Sequence, residues 1–353
     1  MNWKLRCAKR LNNDKLLTMN CKSFCILSCI LLFALTTCKH APKQNYANMD
    51  KELAKLCQQI DKNPEKAELY YLRASYYYRH RQIEPAFEDA RTAIKLNNKD
   101  ARFYVLFADL YFAQRETDQA EEMLQKAIAL DPNNNEARLK LAELYYLLSM
   151  YPECNTILDE AIKLKSHNPK AHLIRANCLK ELGDTTGYLR MLQLVLDQDP
   201  KEIQAYIGLG LYYQQQGNPL GLTYYQNALQ VEPNNKNINF NMAQFYNDLG
   251  DVERAIEQYK VLLNIDPNYV RALNNLGYIY LVKESRYDEA IAMFTKVLDV
   301  DSTFVIAVVN RAIAFEEKKE YDYARQDYRY ARQLDPTCKP AIEGLNRLDK
   351  IKK

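Results

Sequence analysis

Ala127-Ile128-Ala129-Leu130-Asp131-Pro132-Asn133-Asn134 returns further along the chain as Ala228-Leu229-Gln230-Val231-Glu232-Pro233-Asn234-Asn235. Its ending recurs again in Ile265-Asp266-Pro267-Asn268 and Leu334-Asp335-Pro336, at intervals close to 34 residues. A fixed period of this size marks an array of stacked units, in which each unit buries its apolar face only against its neighbours. That logic overrides the two or three globular domains that 353 residues would otherwise suggest. Counting outward from the quoted phrase, eight units tile residues 67–100, 101–134, 135–168, 169–202, 203–235, 236–269, 270–304 and 305–338.

Each unit reads as two amphipathic helices. In 101–134 the first carries Tyr104, Phe107, Ala108 and Tyr111, and the second Ala120, Leu124, Ala127 and Ile128, apolar at helical spacing. Small residues recur on the first helix at Ala74, Ala108, Ala142, Ala176, Gly210, Ala243, Gly277 and Ala312. They recur on the second at Ala86, Ala120, Cys154, Ala255, Ala290 and Ala324. Small side chains let the paired helices approach closely. The late Asp-Pro ends the second helix, because the residue before proline avoids helical torsions. Pro85, Pro152 and Pro219 fall near the start of second helices, where a missing N–H costs little.

These phrases, small-residue positions and period resemble the tetratricopeptide (TPR) repeat family. The resemblance implies an all-α, right-handed α-solenoid of about eight TPR helix-turn-helix repeats with terminal capping helices, formed by 49–66 and 339–353. The fourth and fifth units depart from the pattern. Tyr188 stands where alanine is expected, 203–235 is one residue short, and 183–221 holds six of the nine glycines (Gly183, Gly187, Gly208, Gly210, Gly217 and Gly221). This region reads as a weak or bent joint.

The N-terminus reads as an address. Residues 24–37 form an apolar run after Lys22, shorter than the about 20 residues that span a bilayer as a helix. Leu35-Thr36-Thr37-Cys38 resembles a bacterial lipobox, although Thr37 is larger than the usual residue before the cysteine. The resemblance implies a lipoprotein signal in 1–37, with Met19 as the expected start, lipidation at Cys38 and a polar linker over 38–48. With Lys39 next, it also implies sorting to an outer membrane, facing the periplasm of a bacterial cell envelope. Two acyl chains would make such an anchor stable where one is marginal.

Six basic residues and one acid lie before residue 39, so the remainder carries a slight acidic excess despite a net charge of +3. A near-neutral body argues against nucleic-acid partners, which need a basic face. No Gly-rich phosphate loop, H-E-x-x-H or G-x-S-x-G is present, so no catalysis, cofactor or metal is expected. His172 replaces the repeat's usual aromatic and reads as a packing residue, and acid pairs such as Glu316-Glu317 read as solvated helix faces. Cys154 occupies a small-residue position. It reads either as a buried thiol or as the partner of Cys178 in a disulfide.

In the TPR family the first helix of each repeat builds the binding groove. Carried onto this chain, that geometry assigns the groove an apolar, aromatic stretch from Tyr71, Tyr78, Val105, Phe112, Leu139, Tyr146 and Leu147. Further along it assigns Asn241, Asn275 and Asn310, joined by Asn237, Asn274, Gln244 and Arg271. Asparagine at one position in three successive repeats resembles the ladder of the O-GlcNAc transferase repeats. A carboxamide donates and accepts together, so it can pair with a peptide unit whatever the side chains. The expected partners are proteins or extended peptide segments, bound by a scaffold or by a chaperone that cradles unfolded clients. A carboxylate clamp, which needs free cations, would have only Arg102, Lys140, Lys170 and Arg271 to draw on. A ligand cavity near 183–221 is the remaining alternative.

Overall fold

The computed structural model describes residues 49–351. The lipobox, Cys38, Met19 and the linker lie outside them. Among the described residues there are eighteen helices and no strand. They fall into two compact units, residues up to Leu96 and residues from Asn97 onward.

In the first unit, α1 (Lys51–Lys62) packs on α2 (Ala67–Arg79), which pairs with α3 (Ile83–Leu96). Asp50 starts α1 by accepting the backbone N–H groups of Glu52 (2.9 Å) and Leu53 (3.4 Å). Leu56, Cys57 and Ile60 are the buried face of α1. The Arg73 guanidinium grips Asp89 at 2.6 and 2.8 Å and donates to the Cys57 sulfur at 3.3 Å, so one arginine fastens all three helices.

In the second unit, seven first helices alternate with seven second helices. The first are α4 (Ala101–Ala113), α6 (Asn135–Leu147), α8 (Pro169–Glu181), α10 (Ile203–Gln215), α12 (Lys236–Asp248), α14 (Val270–Val282) and α16 (Val305–Glu317). The second are α5 (Thr117–Leu130), α7 (Tyr151–Leu164), α9 (Thr185–Gln198), α11 (Leu220–Val231), α13 (Val252–Ile265), α15 (Tyr287–Val300) and α17 (Tyr321–Leu334), and α18 (Lys339–Ile351) closes the array. Each second helix packs on its own first helix and on the next, while α6 also touches α8, α10 touches α12, and α14 touches α16. The architecture is an α-solenoid of helical pairs.

Two turns alternate along it. Between the helices of a pair one residue adopts the left-handed conformation: Arg81, Arg115, Ser149, Gly183, Gly217, Gly250, Ser285 and Lys319. A bond from the next N–H back five residues closes the turn, as from Asp251 to the Tyr246 carbonyl at 2.9 Å. Between pairs, an aspartate side chain accepts the N–H two residues on: Asp131 from Asn133, Asp199 from Lys201, Asp266 from Asn268, Asp301 from Thr303 and Asp335 from Thr337. The Asp-Pro signal is therefore an Asx turn as well as a helix stop.

The core holds large aromatics against small residues. Tyr225, Tyr259, Tyr328, Phe245 and Phe294 are fully buried. A Cβ on Gly210 would meet Tyr225 at 2.5 Å, and one on Gly277 would meet Phe294 at 2.9 Å, so these glycines give the rings their room. Within the stretch 183–221 the structure shows a compensated exchange of volumes. Tyr188 is 8 % exposed where most other second helices carry alanine, and its hydroxyl lies 2.6 Å from where a Cβ on Gly208 would be. The bulk gained on α9 is removed from α10. Glu316 is no solvated acid either. It takes the Arg347 guanidinium of α18 at 2.9 Å through both oxygens and the Tyr328 hydroxyl at 2.6 Å. His172 is buried, in keeping with a packing role.

Candidate functional site

An apolar pocket of about 360 Å³ opens between three successive first helices, α4, α6 and α8. Phe112, Tyr146 and Leu147 line it together with Leu144, Leu173 and Ile174. Phe112 is 45 % exposed and Leu147 60 % exposed, a cost that folding alone does not explain. Of the other apolar positions carried over from the family, Val105 is buried and Leu139 half-buried, so both serve packing. Tyr71 and Tyr78 are half-buried on α2, in the first unit.

Polar groups rim the pocket in a fixed order. Lys140 of α6 bonds Asp109 of α4 at 2.8 and 3.1 Å, and Lys170 of α8 reaches Glu143 of α6 at 2.9 Å. Each rung joins one first helix to the next. Burial raises the Asp109 carboxyl above its ordinary range, and Lys140 offsets part of that. These rungs explain why no carboxylate clamp forms. Lys140 and Lys170 face acids, Arg102 is held by Asp100 at 2.6 Å, and the Arg271 guanidinium stacks 4.2 Å over Phe240. Asp109, Glu143, Leu173, Ile174 and Asn177 were not assigned to the site from sequence. Their signal is the family's groove positions: Asp109, Glu143 and Asn177 are the ninth residues of the second, third and fourth repeats, and Leu173 and Ile174 the fifth and sixth of the fourth.

The asparagines behave unequally. Asn241 and Asn310 are half-buried, with no side-chain hydrogen bond among the described residues. Asn275 donates to the buried Tyr259 hydroxyl at 3.1 Å, so one of its two N–H groups serves the core. Asn274 makes only a long 3.5 Å contact to Asn275, and its own Oδ1 is buried with no partner. An unpaired buried acceptor is costly, and a donor from outside would satisfy it. Asn237 and Arg271 are exposed and Gln244 half-buried, on the same helices. The pocket is made by α4 to α8 and the asparagines by α12 to α16, so the two sets are separate. This pocket lies at the second to fourth repeats. Among the described residues no cluster of three metal-ligating side chains occurs, and no helix is long and apolar enough to cross a membrane.

Family models for tetratricopeptide repeats match residues 112–178, 224–257, 244–283 and 279–337. A model for subunit 3 of the anaphase-promoting complex matches 43–127. The chain is 27 % identical over 163 residues to a probable UDP-N-acetylglucosamine–peptide N-acetylglucosaminyltransferase SPINDLY of Hordeum vulgare, covering 44 % of this chain and 17 % of that protein. It is 24 % identical over 201 residues to a DnaJ homolog subfamily C member 3 homolog of Dictyostelium discoideum, covering 50 % of this chain and 39 % of that protein. The chain thus spans less than half the length of these relatives. In solved structures it is similar to the C-terminal part of a TPR repeat-containing protein from Cytophaga hutchinsonii, with a TM-score of 0.59 at 18 % identity over 68 % of this chain and 98 % of that one. Repeat models, helical pairing and a solved solenoid agree, and they support protein–protein interaction as the general role: the chain belongs to the tetratricopeptide repeat family.

Proposed function

We propose that this chain is a lipid-anchored scaffold that holds a partner protein by an apolar side chain in the α4–α6–α8 pocket. The observation that carries the reading is the pocket itself, with Phe112 and Leu147 left exposed beside a neutralised rim. Burying one leucine or phenylalanine contributes about 1.5–3 kcal/mol. Micromolar binding needs about 8 kcal/mol, so the pocket needs a second set of contacts. Asn241, Asn275 and Asn310 are suited to supply it as a backbone ladder. With about 0.5–1.5 kcal/mol per hydrogen bond, two bonds each give roughly 3–9 kcal/mol before ordering costs. The chain has no chemistry of its own in this reading; it brings partners together at the bacterial outer membrane, on the periplasmic side, with Cys38 as the acylated residue.

A crosslinking pull-down from intact cells tests the binding site. Wild type is compared with Phe112→Glu/Leu147→Glu and with Asn241→Ala/Asn275→Ala/Asn310→Ala. Defined envelope proteins captured by wild type and lost from the pocket variant are expected. The same partners captured by all three would place the binding face elsewhere. Uptake of labelled palmitate by wild type and its loss in Cys38→Ala tests the anchor, and label retained in the variant would remove Cys38 from the reading.

A second reading, a chaperone for extended clients, is favoured by the free Asn241 and Asn310 carboxamides and the unpaired Asn274 oxygen. It expects unrelated unfolded peptides to bind alike, and to lose affinity in the triple asparagine variant rather than in the pocket variant.

A further inference from the structure

Cys154 and Cys178 belong to different repeats, on α7 and α8, and lie 24 residues apart in sequence. Their sulfurs are 3.3 Å apart, and neither residue has any exposed surface. Cys154 also donates to the Ala142 carbonyl of α6 at 3.2 Å. The pair therefore sits where α6, α7 and α8 meet. Ala142 is followed by Glu143 and Leu144, and Cys178 is preceded by Asn177, all three of which line the pocket. The thiols lie directly behind the pocket wall.

We propose that Cys154 and Cys178 form a reversible disulfide that fastens the third repeat to the fourth behind the apolar pocket. The sulfurs need to close by little more than an ångström to reach bonding distance near 2.05 Å, which side-chain rotation and a small helix shift can provide. The oxidant is a low-molecular-weight disulfide. One cysteine thiolate attacks it, forms a mixed disulfide and releases one small thiolate. The second cysteine then attacks the mixed disulfide, closes the Cys154–Cys178 bond and releases the other. Two protons and two electrons leave the protein, and the small disulfide becomes two thiols. The Cys178 thiol beside it and burial both push the Cys154 thiol up, so it stays protonated at neutral pH and the exchange is slow. Access requires α7 and α8 to part transiently, as neighbouring elements of a protein do in local opening. Once formed, the bond opposes that opening and holds the pocket wall in one arrangement. The other buried cysteine of the described residues, Cys57, instead takes a hydrogen bond from Arg73.

The full chain is incubated with oxidised glutathione in mild urea, which promotes local opening. Free thiols are then blocked with N-ethylmaleimide and the protein is digested with trypsin. Cys154 falls in the peptide 141–163 and Cys178 in 176–180. The expected product is these two peptides joined, two hydrogens lighter than their sum, and separated again by dithiothreitol. The oxidised protein should melt about 5 °C higher than the reduced form, and Cys178→Ser should lose that rise. Cys154→Ala, which restores the alanine of the other repeats, gives a second variant that keeps the fold and cannot cross-link. Recovery of both peptides blocked and unjoined, or joined to other cysteines, overturns the proposal. A joined pair with no rise in melting temperature overturns the fastening role.

Discussion

Arg311 repeats in the last helical pair what Arg73 does in the first, gripping Asp327 at 2.8 and 2.9 Å across the two helices of one repeat. The aspartate side chain is 8 % exposed and the arginine 21 % exposed, so the pair is mostly out of water. Removing one partner strands the other. Asp327→Ala is expected to cost about 2–3 kcal/mol in urea unfolding, and Arg311→Met/Asp327→Leu to recover most of it. His172 gives a pH signature. Burial lowers its folded pKa, so the unfolded chain binds the proton more readily. Stability from this site is complete above the unfolded value near 6.5 and is lost as pH falls through it towards the lower folded value. Melting temperature should drop between pH 7 and 5.5, and His172→Tyr should reduce the drop. At this scale the sequence was legible where a residue's role follows from its place in the period, as for His172. Glu316 was opaque, because its partners Tyr328 and Arg347 lie 12 and 31 residues away and no local pattern pairs them.

The turn inside each helical pair is the element whose chemistry varies most while its shape is constant. Five of the eight left-handed positions among the described residues are not glycine. L residues pay strain there. Lys319→Gly, at φ 64°, is expected to stabilise by about 0.5–1 kcal/mol, since relief of strain exceeds the added chain entropy. Gly250→Ala, at φ 80° with open space around a Cβ, should cost about 1 kcal/mol from backbone strain alone. Paired denaturant titrations check both. The helices themselves were legible from apolar spacing and from the Asp-Pro stops. The turn conformation was only half legible: Gly183, Gly217 and Gly250 share one repeat position, but arginine, serine and lysine at the same place carry no signal of a left-handed turn.

For the molecule as a whole, stability in an array is carried by interfaces between neighbours, so its last unit depends on a cap. Within the second unit α18 supplies it, burying Ala341, Leu345 and Leu348 and reaching back through Arg347 to Glu316. Deleting 339–353 should raise amide exchange in α16 and α17 and leave α12 unchanged; uniform exchange along the array would show that the units unfold together rather than from the end. The eight-pair architecture was readable from the period alone. The division into compact units at residues 96 and 97 was not, because no glycine-rich stretch or change of composition marks it. The departures that did stand out, at 183–221, mark an exchange of volume between neighbours instead. The site was legible in part: Phe112, Tyr146 and Leu147 line the pocket, while its acids became visible only when the rungs joined one helix to the next.

The exchange between Tyr188 and Gly208 also limits how this chain can change by duplication or loss of repeats. Most other second helices carry alanine at this place, which leaves one unit easier to swap for another. Here the ring of the fourth unit has room only because the fifth has no side chain opposite it. A recombination that separates the two would set Tyr188 against a side chain it cannot clear. The fourth and fifth repeats are therefore expected to tolerate exchange or loss only as a pair, a two-unit module inside an array whose period is one.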